Sequence, residues 1–172
     1  MPDRIAGMIR ADIARPPVPS VPLHGGCHCG AVRYEITARP KAVNACHCDD
    51  CKRLSGATFG VYLHVPKPAL AVTSGTFDTF RRTGGSGHTI PIERCTECGT
   101  RMWHLPDAAP DLVILCAGTL DDPSWAVPTS HIFTEEAAPD AVAASDALVI
   151  EAFNSTRQAL WAHFDRIYSV SS

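Results

Sequence analysis

The placing of the cysteines constrains this chain more than any other feature. Cys46, Cys48 and Cys51 put three thiols within six residues, in the run Cys46-His47-Cys48-Asp49-Asp50-Cys51. Cys27 and Cys29 lie upstream and Cys95 and Cys98 downstream, so seven thiols fall in three clusters. Cys27 and Cys29 are too close for an easy mutual disulfide, whereas a turn of that spacing presents both sulfurs to one ion. A chain of 172 residues can bury a real core and needs no disulfide staples. The first 22 residues have no apolar core followed by a small-residue cleavage site, so they make a poor signal peptide and a cytoplasmic location is expected. In that compartment clustered cysteines are metal ligands more often than disulfides.

Structural zinc takes four protein ligands; catalytic zinc takes three and keeps one position open. Seven thiols therefore divide as four plus three. Cys27, Cys29, Cys95 and Cys98 would close one site, and Cys46, Cys48 and Cys51 would leave a second one ligand short. A different partition, with Cys46, Cys48, Cys95 and Cys98 on one ion, also satisfies the spacing. Thiolate-only sites favour zinc, copper(I) or iron–sulfur clusters. The spacings do not follow the ferredoxin patterns, and two-residue gaps in glycine-bearing knuckles point to zinc. An open three-thiolate zinc prefers a further sulfur in the vacancy. A thiol that coordinates there loses its proton and is held ready to attack an electrophilic carbon. A nearby histidine as fourth ligand would instead make the site structural. Cys116, next to the apolar run 112–115 and before Ala117-Gly118, reads as a small buried core residue.

The rest of the chain reads mainly as short strands. Residues 1–22 form a proline-rich tail, expected to be weakly held. Val32, Tyr34 and Ile36 alternate with Arg33, Glu35 and Thr37, as in a half-buried strand. Further strands are expected over 43–46, 58–65, 70–73, 76–82, 89–94 and 100–104, with a fully buried strand in the apolar run 112–115 and a last edge strand over 129–134. The segment after Cys48 suits a helical turn ended by Gly56. Gly84-Gly85-Ser86-Gly87 reads as a hairpin turn. Residues 135–145 show no period. Asn154 can cap a helix running to Tyr168, with Leu160, Trp161, Phe164, Ile167 and Tyr168 in one apolar stripe that is either a packing face or a homodimer contact.

Formal net charge is −3 with no long basic run, and two zinc ions on seven thiolates would move it to about −6. A nucleic-acid partner is therefore not expected. No stretch approaches the roughly 18–20 apolar residues of a membrane helix, so no membrane partner is expected either.

The runs GGCHCGAVRY, CHCDDCKRLSGATFG and CTECGT, followed by AGTLDDP and His131-Ile132, resemble the glutathione-dependent formaldehyde-activating enzyme family, which includes centromere protein V. The likeness runs from about Leu23 to Thr134 in the family's order. It implies a mainly β fold, of the β-tent type with zinc-organised antiparallel sheets. The expected organisation is a tail (1–22), a zinc-binding β domain (23–150) and a C-terminal helical extension (151–172). It implies two zinc ions: a structural one on Cys27, Cys29, Cys95 and Cys98, and a catalytic one on Cys46, Cys48 and Cys51. The implied activity is that of a carbon–sulfur lyase joining glutathione and formaldehyde to S-hydroxymethylglutathione, so the partners would be a small-molecule thiol and an aldehyde. The family often has a tryptophan after the proline where this chain has Pro139-Asp140. A zinc-scaffolded interaction module without turnover is the alternative; a redox role lacks a thioredoxin-like βαβ pattern.

Among other candidates, His28 and His47 lie between ligands and should point away from the ion, toward packing or a supporting hydrogen bond. His64, His104 and His131 are candidates to line the site or move a proton, although most histidines do neither. Lys52 and Arg53 could meet a glutathione carboxylate or simply end the helix in solvent. Trp103 and Trp125 read as core or rim.

Overall fold

A computed structural model describes residues 4–5, 8–85, 87–152 and 157–169. Among the described residues it is mainly β, with two α-helices. The chain divides into two compact units, one from Met1–Val18, Ala42–Tyr62 and Trp125–Ser172 and the other from Pro19–Lys41 and Leu63–Ser124. Among the described residues, no helix is long and apolar enough to cross a membrane.

The first unit contains β1 (Arg4–Ile5), β2 (Met8–Ala11), β5 (Ala42–Cys46), β12 (Ser130–Ile132), β13 (Val142–Ala144) and β14 (Leu148–Ile150). The second contains β3 (Leu23–Gly26), β4 (Arg33–Ile36), β7 (Leu70–Ser74), β8 (Phe77–Thr83), β9 (Thr89–Cys95), β10 (Arg101–His104) and β11 (Leu112–Cys116). Strand β6 (Gly60–Pro66) starts in the first and ends in the second.

In the second unit pairing is antiparallel, and short connections of hairpin type join β8, β9, β10 and β11. Strands β3, β4 and β7 form one sheet, and β11, β10, β9 and β8 pair in sequence. Val32, Tyr34 and Ile36 are fully buried, so the alternation read in the sequence marks the core face. Trp103 stands edge-on to Tyr34 at 5.9 Å and donates its indole N–H to Glu93 (2.6 Å), so it is a core residue with its one polar atom satisfied. The Thr119 hydroxyl donates to the Cys116 carbonyl (2.8 Å), which leaves it to accept from Tyr34 (2.8 Å).

Gly25 and Gly26 lie in β3, and the left-handed residue of the first cysteine knuckle is Gly30 (φ 80°). Gly25 is required by close approach: a Cβ there would lie 2.2 Å from the Tyr34 hydroxyl and 2.4 Å from the Thr119 carbonyl oxygen.

In the first unit pairing is partly parallel: β12 runs parallel to both β5 and β14, and β13 runs parallel to β2. Strand β12 is therefore flanked on both sides, not at an edge, and it is not last, since β13 and β14 follow. Strand β13 comes from the stretch 135–145, which shows no period, and β14 follows it. The alanines around β13 let backbone close on a large side chain: Met8 is fully buried among Ala141, Ala143, Ala144 and Ala147. From Met8 onward the described N-terminal residues are thus not weakly held. Besides the pairing of β2, Arg10 donates to the Ser145 and Ala147 carbonyls, and the Arg15 side chain pairs with Asp146.

Helix α2 (Arg157–Tyr168) packs on β5 and β12. Asn154, the expected cap, lies outside the described residues. The buried face is Leu160, His163 and Phe164, at i, i+3 and i+4, while Trp161, Ile167 and Tyr168 are only half-buried. His163 joins the apolar positions because its Nε2 bonds to the Asp146 carbonyl (2.9 Å).

Gly25→Ala should destabilise the protein by about 1–3 kcal/mol, because neither a tyrosine ring in the core nor a backbone carbonyl can yield cheaply. Urea unfolding measures this, and an unchanged midpoint would contradict the close approach.

Candidate metal centres

The seven thiols gather into two groups, Cys27, Cys29, Cys95 and Cys98 in one and Cys46, Cys48 and Cys51 in the other. Within each group the sulfurs lie within 4.8 Å of one another. Both groups are built by tight local turns.

In the larger group, β3 runs into a knuckle in which the Cys27 N–H donates to the Val32 carbonyl (3.1 Å) and the Gly30 N–H to the Cys27 carbonyl (3.1 Å). The second knuckle repeats this: the Cys95 N–H donates to the Thr100 carbonyl (3.0 Å) and the Gly99 N–H to the Cys95 carbonyl (2.9 Å). Gly30 and Gly99 sit at φ 80° and 69°, where a side chain would be strained. The His28 N–H donates to the Thr100 hydroxyl (3.2 Å) and ties the knuckles together. Cys29 Sγ is 3.4 Å from Cys27 Sγ and 3.9 Å from Cys95 Sγ. Hydrogen bonds from the Thr100 hydroxyl and N–H pull the Cys98 thiol down to about 5. The Ala31 N–H favours the Cys29 thiolate, but the neighbouring sulfurs outweigh it and push Cys29 up to about 12.

The smaller group sits where β5 ends and helix α1 (Asp49–Ser55) begins. Cys48 is the N-cap of α1, its sulfur accepting from the Cys51 N–H (3.4 Å). Gly56 ends the helix at φ 67°, as the sequence indicated. Glu136 accepts from the Asp49 N–H (2.7 Å), a contact that nothing in the acidic segment 135–145 announces. Cys46 and Cys51 are buried and Cys48 is half-buried. The Cys46 thiol is pushed far above the ordinary range, first by the sulfurs of Cys48 and Cys51 and then by burial. For Cys51 the hydrogen bond with Cys46 lowers the value, but Cys48 and burial raise it to about 11, with the Tyr62 hydroxyl partly offsetting them. Tyr62 was not singled out in the sequence; its place in β6 beside Cys51 is a tertiary fact.

Three sulfurs this close cannot all be thiolates without a cation to offset their repulsion. A soft divalent ion supplies that charge, so the donor sets of both groups fit a thiophilic metal. Among the described residues, no histidine or carboxylate joins the three sulfurs as a fourth donor.

His47 turns to the strand next door. Its Nε2 lies 3.0 Å from His131 Nδ1, the rings stack at 5.3 Å, and Phe59 closes on the other side at 5.2 Å. Burial lowers His47 to about 4 and His131 to about 3, so both are neutral near pH 7 and share one proton along this bond. The His28 side chain stays exposed, and His64 and His104 are buried in the second unit, outside both sulfur groups. Lys52 is engaged by the Glu136 carbonyl (2.7 Å) and Asp49 (2.8 Å); Arg53 is mostly exposed, 3.6 Å from Asp49. Cys116, Trp103 and Trp125 are buried core residues.

Fold and sites together define a mainly β protein with one four-thiol and one three-thiol group, each able to hold a soft metal ion. Residues 22–136 match the glutathione-dependent formaldehyde-activating enzyme family, and the chain belongs to it. A Halomonas elongata protein carrying that enzyme name is 30% identical over 103 residues, covering 58% of this chain and 66% of the relative. A Sordaria macrospora protein of the same name is 29% identical over 94 residues, 51% of this chain and 39% of the relative. The chain thus spans less than two thirds of either relative's length. A Rhodobacter sphaeroides crystal structure is similar at 23% identity and a TM-score of 0.47, over 58% of this chain and 88% of that one.

Zinc-reconstituted protein should hold two metal ions per chain by elemental analysis, Cys48→Ser and Cys98→Ser should each hold one, and chelation should lower the melting temperature because metal bound only by the folded state stabilises it.

Proposed function

We propose that the protein is a zinc-dependent carbon–sulfur lyase that adds a thiol, glutathione or one like it, to formaldehyde. The observation that carries this reading is the ligand deficit: Cys27, Cys29, Cys95 and Cys98 suffice for a closed structural zinc, whereas Cys46, Cys48 and Cys51 offer three donors with no fourth among the described residues. Zinc held by those three cysteines would supply an open, thiophilic position that favours the thiolate form of a substrate thiol.

The chain's own groups fit that chemistry. Cys46 and Cys51 are buried and Cys48 is half-buried, so a substrate sulfur approaches on the Cys48 side. Cys48 also caps α1, which fixes its sulfur relative to Cys51. Arg53, one turn along α1 and largely exposed with a loose 3.6 Å pairing to Asp49, is more accessible to a substrate carboxylate than Lys52, which is held by the Glu136 carbonyl and Asp49. His47 and His131 are neutral and bonded to each other, so they brace the loop and are not strong acids at pH 7. The addition balances without an oxidant: sulfur bonds to the carbonyl carbon, the C=O π pair moves to oxygen, and the proton lost by the thiol is matched by one gained at that oxygen.

Exchange NMR on glutathione and formaldehyde tests this. The zinc-loaded protein should speed interconversion of the thiol and its hydroxymethyl adduct above the spontaneous rate. Cys48→Ser should abolish the acceleration while retaining the four-cysteine metal. Two bound zinc ions with no acceleration for any thiol would leave an interaction module as the function.

A further inference from the structure

The residues before Leu23 lie almost wholly outside the family match, yet they reach the support of the three-cysteine group. The Arg15 side chain is only 8% exposed. Its Nη1 donates to the Val127 carbonyl (2.9 Å), its Nη2 to the Pro128 carbonyl (2.9 Å) and to Asp146 (2.8 Å), and its Nε to the same carboxylate (3.0 and 3.1 Å). One planar guanidinium thus fixes two successive carbonyls just before β12 and the loop before β14. A buried cation with all three of its nitrogens engaged is a geometric clamp rather than a surface ion pair.

What the clamp fixes leads to the sulfurs in few steps. The Thr129 N–H and hydroxyl both donate to the Val43 carbonyl (2.9 and 3.1 Å), setting β12 against β5. The parallel register then places His131 beside Ala45 and Ile132 beside Cys46. The His47 N–H donates to the Ile132 carbonyl (3.0 Å), and its ring bonds to His131 (3.0 Å). His47 is the residue between Cys46 and Cys48, so its backbone and ring orientation decide how those two sulfurs face one ion.

We propose that Arg15 is a positioning residue for the three-cysteine centre, acting through the Val127 and Pro128 carbonyls on β12 and through the His131–His47 contact on Cys46 and Cys48. This rests on the reading of that centre as a metal site. The N-terminal segment is then a working part of the centre.

The test is alkylation of the zinc-loaded full chain, followed cysteine by cysteine by peptide mass spectrometry. Arg15→Ala should make Cys46, Cys48 and Cys51 react about ten-fold faster, the scale on which losing a supporting partner weakens metal sites, and leave Cys27, Cys29, Cys95 and Cys98 unchanged. Arg15→Lys, which keeps the charge but cannot bridge both carbonyls and the carboxylate, should fall between. Met8→Ala loosens the same segment without touching those carbonyls and should leave the labelling as in the wild type. Wild-type labelling in Arg15→Ala, or equal acceleration in Arg15→Ala and Met8→Ala, overturns the proposal. The underlying metal reading fails separately, when the unmutated protein holds one zinc or its three cysteines react as freely with zinc as without it.

Discussion

The repulsion between crowded thiolates is the constraint on which this protein turns. Sulfurs less than 5 Å apart make each other hard to ionise, and the neighbouring sulfurs of Cys48 and Cys51 hold the Cys46 thiol above its ordinary range. A soft cation reverses the sign of that energy. The knuckles, the glycines at positive φ and the cysteine N-cap of α1 all hold sulfurs in a geometry that is unfavourable alone and favourable around an ion. An ion bound only by the folded chain would add its binding energy to the stability of the fold.

The two groups spend this energy differently. Four sulfurs from two knuckles join segments nearly seventy residues apart, where loop closure is costly and a cross-link stabilises most. Three sulfurs from one local turn join nothing distant; their geometry comes from β5, from α1 and from the histidine contact with β12. A local claw of this kind depends on its supports more than a long-range staple does. The dense hydrogen bonding behind it, from Arg15 to His47, answers that dependence.

Much was legible before folding was considered. The alternation at Val32, Tyr34 and Ile36 marked a core face because side-chain direction in a strand has a fixed period. The stop at Gly56 was legible because few residues other than glycine take that φ cheaply. Residues 135–150 were not: β13 and β14 are only three residues each, and their pairing depends on distant partners, β2 in one case and β12 in the other. The N-terminal segment looked loose for the same reason, since an arginine among prolines shows nothing of the carbonyls that will receive it. Tyr62 and Glu136 reach α1 and Cys51 only through the fold.

By itself the sequence determined the chemistry: seven thiols, their local spacing and the turns that present them, all set by covalent neighbours a few residues apart. Membership in the formaldehyde-activating family follows from the same motifs. Tertiary structure decided which knuckles share a site, that no histidine completes the three-sulfur group among the described residues, and that His47 and His131 share one buried proton. Those outcomes depend on strand order and register, which arise from packing between residues far apart in the chain. No local pattern encodes them.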